Sequence, residues 1–149
     1  MDYPIIFTVR CKDGPGPYYR VYIFEDVDSM RAWGNTHDIQ KRKGYFKGCE
    51  AHVQAMTAMR LRKGHWRKLL YIGWVAFHKG NIGSGIVSHE MTHAALYFMG
   101  RWKRRLRMSD ANRRFDECLA WTQGWLVKQF WDKYYKRFPY EEPQPARQA

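Results

Sequence analysis

A chain of 149 residues, 45% apolar and 17% aromatic, is long enough for one domain with a core, too short for two, and too apolar to be disordered. It contains no run of about 18 apolar residues, which excludes a spanning helix, and three scattered cysteines (Cys11, Cys49, Cys118) do not make a disulfide framework. Lys and Arg number 26 against 14 acidic residues, so the formal charge of +12 draws polyanions and acidic surfaces without specifying any chemistry.

Met1-Asp2-Tyr3-Pro4 shows no basic segment followed by an apolar stretch, so a cytoplasmic location without membrane contact is expected. Ile5 to Cys11 alternates, with Ile5, Phe7, Val9 and Cys11 facing one way, which predicts a half-buried strand. Lys12 to Pro17 is a turn by composition, and Tyr18 to Phe24 reads as the second strand of a hairpin. Asp26 or Asp28 caps a short helix through Trp33, with Gly34-Asn35 as its end. Lys41 to Gly48 is loop-like. Glu50 to Leu61 combines strand-like alternation with good helix formers, and strand is the preferred reading. Leu69 to Phe77 is a short apolar run, expected as a buried strand that lines the cleft and pairs with extended substrate.

A glycine-rich loop from Gly80 to Gly85 precedes a helix expected from about Ile86 to Met99 and closed by Gly100. Ser109 or Asp110 caps a second long helix to about Lys136, whose apolar face carries Phe115, Leu119, Leu126 and Phe130, with Thr122 between. The expected domain spans residues 1–138, followed by a polar tail, 139–149. Strands first and helices last make an α+β fold, with a small twisted, mostly antiparallel sheet on two long helices.

The chemistry concentrates in His89-Glu90-Met91-Thr92-His93. Two histidines four apart on a helix lie one above the other, so both imidazoles reach one ion. Imidazole suits Zn²⁺, and a catalytic zinc keeps one position for water. Glu90 stands beside that position as general base. No histidine follows His93, which rules out a third histidine close behind the motif and turns attention to the downstream acids. Asp132 lies 15 residues past Glu117, roughly 22 Å along a helix, and cannot share an ion with it. Asp110 reads as a cap, and Glu141 and Glu142 lie in the tail. Asp116 and Glu117 remain, about 100° apart on the helix.

Phe115-Asp116-Glu117-Cys118-Leu119-Ala120-Trp121 resembles the second motif of the gluzincin metallopeptidases, an acidic ligand followed three residues later by alanine. Together with His89 to His93, the spacing and small size also resemble the ImmA/IrrE kind of phage and mobile-element peptidases. The resemblance covers roughly Leu69 to Trp125. It implies a minimal zincin fold with His89, His93 and Glu117 as zinc ligands and Glu90 as proton shuttle. It also implies that Ala120 leaves room for close approach of the second helix. One departure is Trp121, where the thermolysin-like branch carries an aspartate that orients a histidine ligand; Asp116 is the candidate to replace it. His89 to Leu96 further resembles the SprT-like proteases, which act on DNA-attached proteins, except that their third histidine is missing.

The reading is a zinc peptidase acting on a protein substrate of acidic or DNA-associated character. Nucleic acid is a second expected partner, through basic clusters at Lys41–Lys43, Arg60–Lys68 and Arg101–Arg107, two of which contain a tryptophan (Trp66, Trp102). The rival is a basic binding protein, such as a phage-encoded inhibitor or nucleic-acid-associated factor, with a structural or vestigial metal site. Tyr97, His78, Tyr134 and Tyr135 are weaker candidates for oxyanion donors, and Cys118 reads as a buried cysteine. Trp74 and Trp125 read as core.

Overall fold

A computed structural model of the chain describes residues 4–38, 40–56, 59–101 and 113–139. The fold is α+β. Strand β1 (Ile5–Arg10) turns back antiparallel into β2 (Tyr18–Phe24), as the alternation predicts, and Phe7, Val9 and Cys11 are buried. Helix α1 (Val27–His37) follows, and its N-cap is Asp26, which accepts from the Ser29 amide at 2.8 Å. Gly34 does not end α1: it is buried mid-helix, where a Cβ would stand 2.9 Å from the ring of Phe46. Its small size serves packing rather than termination.

The stretch from Glu50 to Leu61 divides into β3 (Ala51–Ala55) and β4 (Met59–Arg62); β5 (His65–Lys68) and β6 (Tyr71–His78) complete the strands. The main sheet runs β1-β2-β6-β3, with β2 and β6 parallel and the other neighbours antiparallel. β4 and β5 form a two-stranded sheet of their own. Gly73 marks an irregularity in β6. Pairing with β2 steps from Tyr71 to Gly73, and the Gly73 φ is 151° with the Gln54 carbonyl 1.9 Å from where a Cβ would stand. Only glycine fits there.

A short 3₁₀ turn (Lys79–Asn81) leads to α2 (Ser84–Arg101), and α3 is Arg113–Arg137. The helix over His89 to His93 starts two residues earlier than predicted and runs through Gly100. Among the described residues there are three α-helices, the short α1 as well as the pair expected to carry the ligands, and they lie on both faces of the sheet. α2 and α3 pack on one face over Val9, Val21, Val53, Val75 and Phe77, and α1 packs on the other with Phe24, Phe46, Trp74 and Ala76. On α3 the expected face holds: Phe115, Thr122, Leu126 and Phe130 are buried, and Leu119 is partly so. The helix caps at Ser109 or Asp110, the Arg101–Arg107 cluster beyond its first residue and the tail from 140 onward lie outside the described residues. No helix among the described residues is long and apolar enough to cross a membrane.

Two expectations about β6 are corrected. Leu69 and Leu70 lie before the strand and are exposed. The strand itself sits between β2 and β3, both of its edges paired, so it cannot receive a substrate strand.

Candidate metal centre

Helix α2 buries Val87, Met91, Ala94, Ala95, Phe98 and Met99 and turns His89 and His93 outward on the opposite side. The alternation of apolar and polar residues at helical spacing dictates this orientation. The helix is anchored to the sheet by the Tyr19 hydroxyl, which donates to the Ala94 carbonyl at 2.8 Å, next to His93. It is anchored to α3 by Gln123 Nε2, which donates to Ser88 Oγ at 2.8 Å, next to His89. Both histidines therefore stand on a helix tied down on two sides.

Their Nε2 atoms lie 3.2 Å apart. Two imidazole nitrogens bound at about 2.05 Å to one tetrahedral ion stand about 3.3 Å apart, so the pair fits two ligands of a zinc site with little adjustment. Glu90 is 7% exposed, and its Oε1 is 4.0 Å from His89 Nε2. Burial raises the Glu90 pKa, and His89 works against that shift. A carboxyl held in this way is a better proton acceptor than a solvated one.

Glu117 lies on α3 and is exposed, as is Asp116. Among the described residues no group of three His, Cys, Asp or Glu side chains is assembled for a metal, so the structure brings His89, His93 and Glu90 together without a third ligand. Asp116 precedes Gln123 by seven residues and so shares its face of α3 to within about 20°, the side that meets α2. Glu117 is a further 100° round. Ala120 is exposed, so its small size does not set the approach of the helices; the small buried residues of α2 are Ala94 and Ala95. Trp121, at 55% exposed, stacks on half-buried Trp125. Cys118 is half-buried rather than buried.

The remaining candidates are placed elsewhere. His78 is buried at the end of β6 and pairs with Glu50 at 3.1 Å, and Glu50 also receives Arg31 at 3.0 Å. Tyr134 and Tyr135 belong to an aromatic row on α3 with Trp131. Tyr97 is exposed one turn beyond His93. Cys49 lies close enough to Glu90 to feel its charge: burial raises the thiol pKa, and Glu90 raises it further.

The missed element is the sheet edge. Met56 donates to the Ile72 carbonyl at 2.7 Å, so by antiparallel alternation Ala51 and Val53 turn their N–H and C=O groups away from β6. Among the described residues β3 is paired on one side only, and it lies against α2. The opposite edge is covered. Gln129 both donates to and accepts from the Arg10 backbone, at 2.7 and 2.9 Å, and Lys133 Nζ donates to the Thr8 carbonyl. The alternation of Ala51, Val53 and Ala55 announces the strand, but nothing local marks it as an edge. No protein-family model, curated protein or solved structure matches the chain.

Proposed function

We propose that the chain is a zinc-dependent peptidase of minimal zincin type, acting on a protein substrate. The convergence of His89 Nε2 and His93 Nε2 at 3.2 Å, with Glu90 buried beside them, carries the reading. His89 and His93 hold the ion, with Glu117 from α3 as the third ligand. Zinc bound there supplies a Lewis acid that makes water nucleophilic near neutral pH. Glu90 accepts the proton of the attacking water and returns it to the leaving amine, and its raised pKa suits both transfers. An extended peptide adds to the outer edge of β3, where the Ala51 and Val53 backbone groups would bond to its main chain. Main-chain pairing aligns a peptide irrespective of its sequence, and the positive net charge favours acidic substrates.

The rival reading, a basic binding protein with a vestigial metal site, leaves Glu90 without a task. Metal-loaded wild type and Glu90→Gln, incubated with an unfolded protein library and analysed for new N-termini by mass spectrometry, separate the two. Cleavage by wild type alone is expected. Identical product sets from both would remove Glu90 from the chemistry.

A further inference from the structure

The basic stretch from Arg60 to Lys68 is a separate piece of architecture. β4 and β5 form a ribbon joined by Lys63-Gly64, both at positive φ (50° and 75°), the pair of left-handed conformations that a two-residue type I′ turn requires. Between the pairs Ala55–Gly73 and Met59–Lys68 one strand advances one residue further than the other, so the ribbon is set off from the main sheet by a slip in register. In the ribbon Arg60 lies opposite Arg67, Arg62 opposite His65 and Leu61 opposite Trp66. Side chains alternate along each strand, which puts Arg60, Arg62, His65 and Arg67 on one face and Met59, Leu61, Trp66 and half-buried Lys68 on the other. All but Lys68 are exposed, Trp66 at 66% and Leu61 at 56%.

As bare surface this arrangement is unfavourable twice over. Like charges directly opposite across two strands destabilise the pair, and among the described residues no carboxylate forms an ion pair with Arg60, Arg62 or Arg67. The other face exposes large apolar side chains on a two-stranded sheet, which is marginal by itself. A polyanion that neutralises one face while covering the other removes both costs.

We propose that the β4–β5 ribbon is a binding element for duplex DNA. A two-stranded ribbon matches the major groove, about 12 Å wide. Arg60 and Arg62 stand roughly 6.8 Å apart along the strand, far enough to meet separate phosphates, and a planar guanidinium takes phosphate oxygens two at a time. On the second face Trp66 and Leu61 meet sugars and base edges such as the thymine methyl group. An acidic protein surface would answer the charge but provides no groove for a ribbon with an apolar reverse side. The ribbon lies outside the histidine pair, and its partner does not depend on metal there.

Anisotropy of a short fluorescent DNA duplex, titrated with the full chain at several salt concentrations, tests this. Wild type is expected to bind at low salt and to weaken steeply as salt rises. The triple variant R60Q/R62Q/R67Q should lower the slope of log affinity against log salt by nearly 3, about 0.9 for each phosphate that is no longer neutralised. The control K12Q/K47Q/R137Q, which removes three exposed charges elsewhere, should keep the wild-type slope. If circular dichroism shows the triple variant unfolded, the singles Arg60→Gln and Arg62→Gln, each lowering the slope by about 0.9, take its place. Absence of duplex binding at low salt, an equal loss in the control, tighter binding of single strands through Trp66, or equal binding of polyglutamate would each overturn the proposal.

Discussion

Gln123 on α3 donates to Ser88 on α2 across 2.8 Å, and Ser88 immediately precedes His89. The hydrogen bond fixes the sliding of the two helices against one another at the point where the histidines begin. Because His89 and His93 sit one turn apart on a helix so held, their rings need little ordering to take up an ion. The chain should therefore bind one zinc, and His89→Ala and His93→Ala should each lose it. Elemental analysis after purification without a metal-affinity tag reads this directly; full occupancy in either variant would show that the pair is not the site.

Glu90→Gln should keep both the fold and the metal, since glutamine has nearly the same shape and Glu90 is not assigned as a ligand. Hydrolysis should fall by about 10²- to 10⁴-fold, the usual contribution of a positioned general base. Zinc content and circular dichroism equal to wild type, together with lost cleavage, is the expected combination. A variant that loses zinc as well would make Glu90 a ligand.

Gly73→Ala should cost on the order of 3 kcal/mol, because the new Cβ meets the Gln54 carbonyl and the positive φ is strained for any side chain. Urea unfolding checks it. The same position explains much of what the sequence did and did not reveal. Alternation exposed β1, β2 and the buried faces of α2 and α3, because each has one apolar side. β6 reads as a single apolar run whether it lies inside a sheet or at its edge, and only its partners decide. β3 is short, and its role depends on β6 lying beside it. The ribbon was hidden for another reason: its strands are rich in Arg and Lys, so charge masked a hairpin that Gly64 and the spacing of Leu61 and Trp66 signal. The histidine pair was legible because helical spacing alone brings it together. The third ligand was not, because it comes from a separate helix whose relation to α2 is a matter of tertiary packing.

His52 lies against the rings of Phe46, Tyr45 and Trp74, and burial, with Arg42 next, lowers its pKa from 6.5 to about 4. The folded state thus resists a proton that the unfolded chain accepts. Between these two values the unfolded state binds more protons, so stability should fall as pH drops from about 6.5 towards 4 and level off below it. His52→Phe keeps a ring in the cluster and removes the titration. Urea unfolding across this range should show a flatter profile for the variant, and an unchanged profile would place the pH dependence elsewhere.

Asp116 and Glu117 are neighbours pointing about 100° apart, so only one of them can be the third ligand. The motif resemblance favours Glu117, and its longer side chain has the greater reach from α3. The geometry of α3 favours Asp116, which shares the α2-facing side with Gln123. Reach is the stronger consideration, because His89 and His93 point outward, away from the core side of α2, and a ligand for them has to arrive over the solvent side of both helices. Loss of a direct carboxylate ligand should strip or greatly loosen the ion, whereas loss of a residue that only orients a ligand costs about 10- to 100-fold in affinity. Zinc affinity, measured by competition with a chromophoric chelator, should therefore fall much further in Glu117→Ala than in Asp116→Ala. The reverse ranking would move the ligand to Asp116, and small, equal losses would place the third ligand outside this helix.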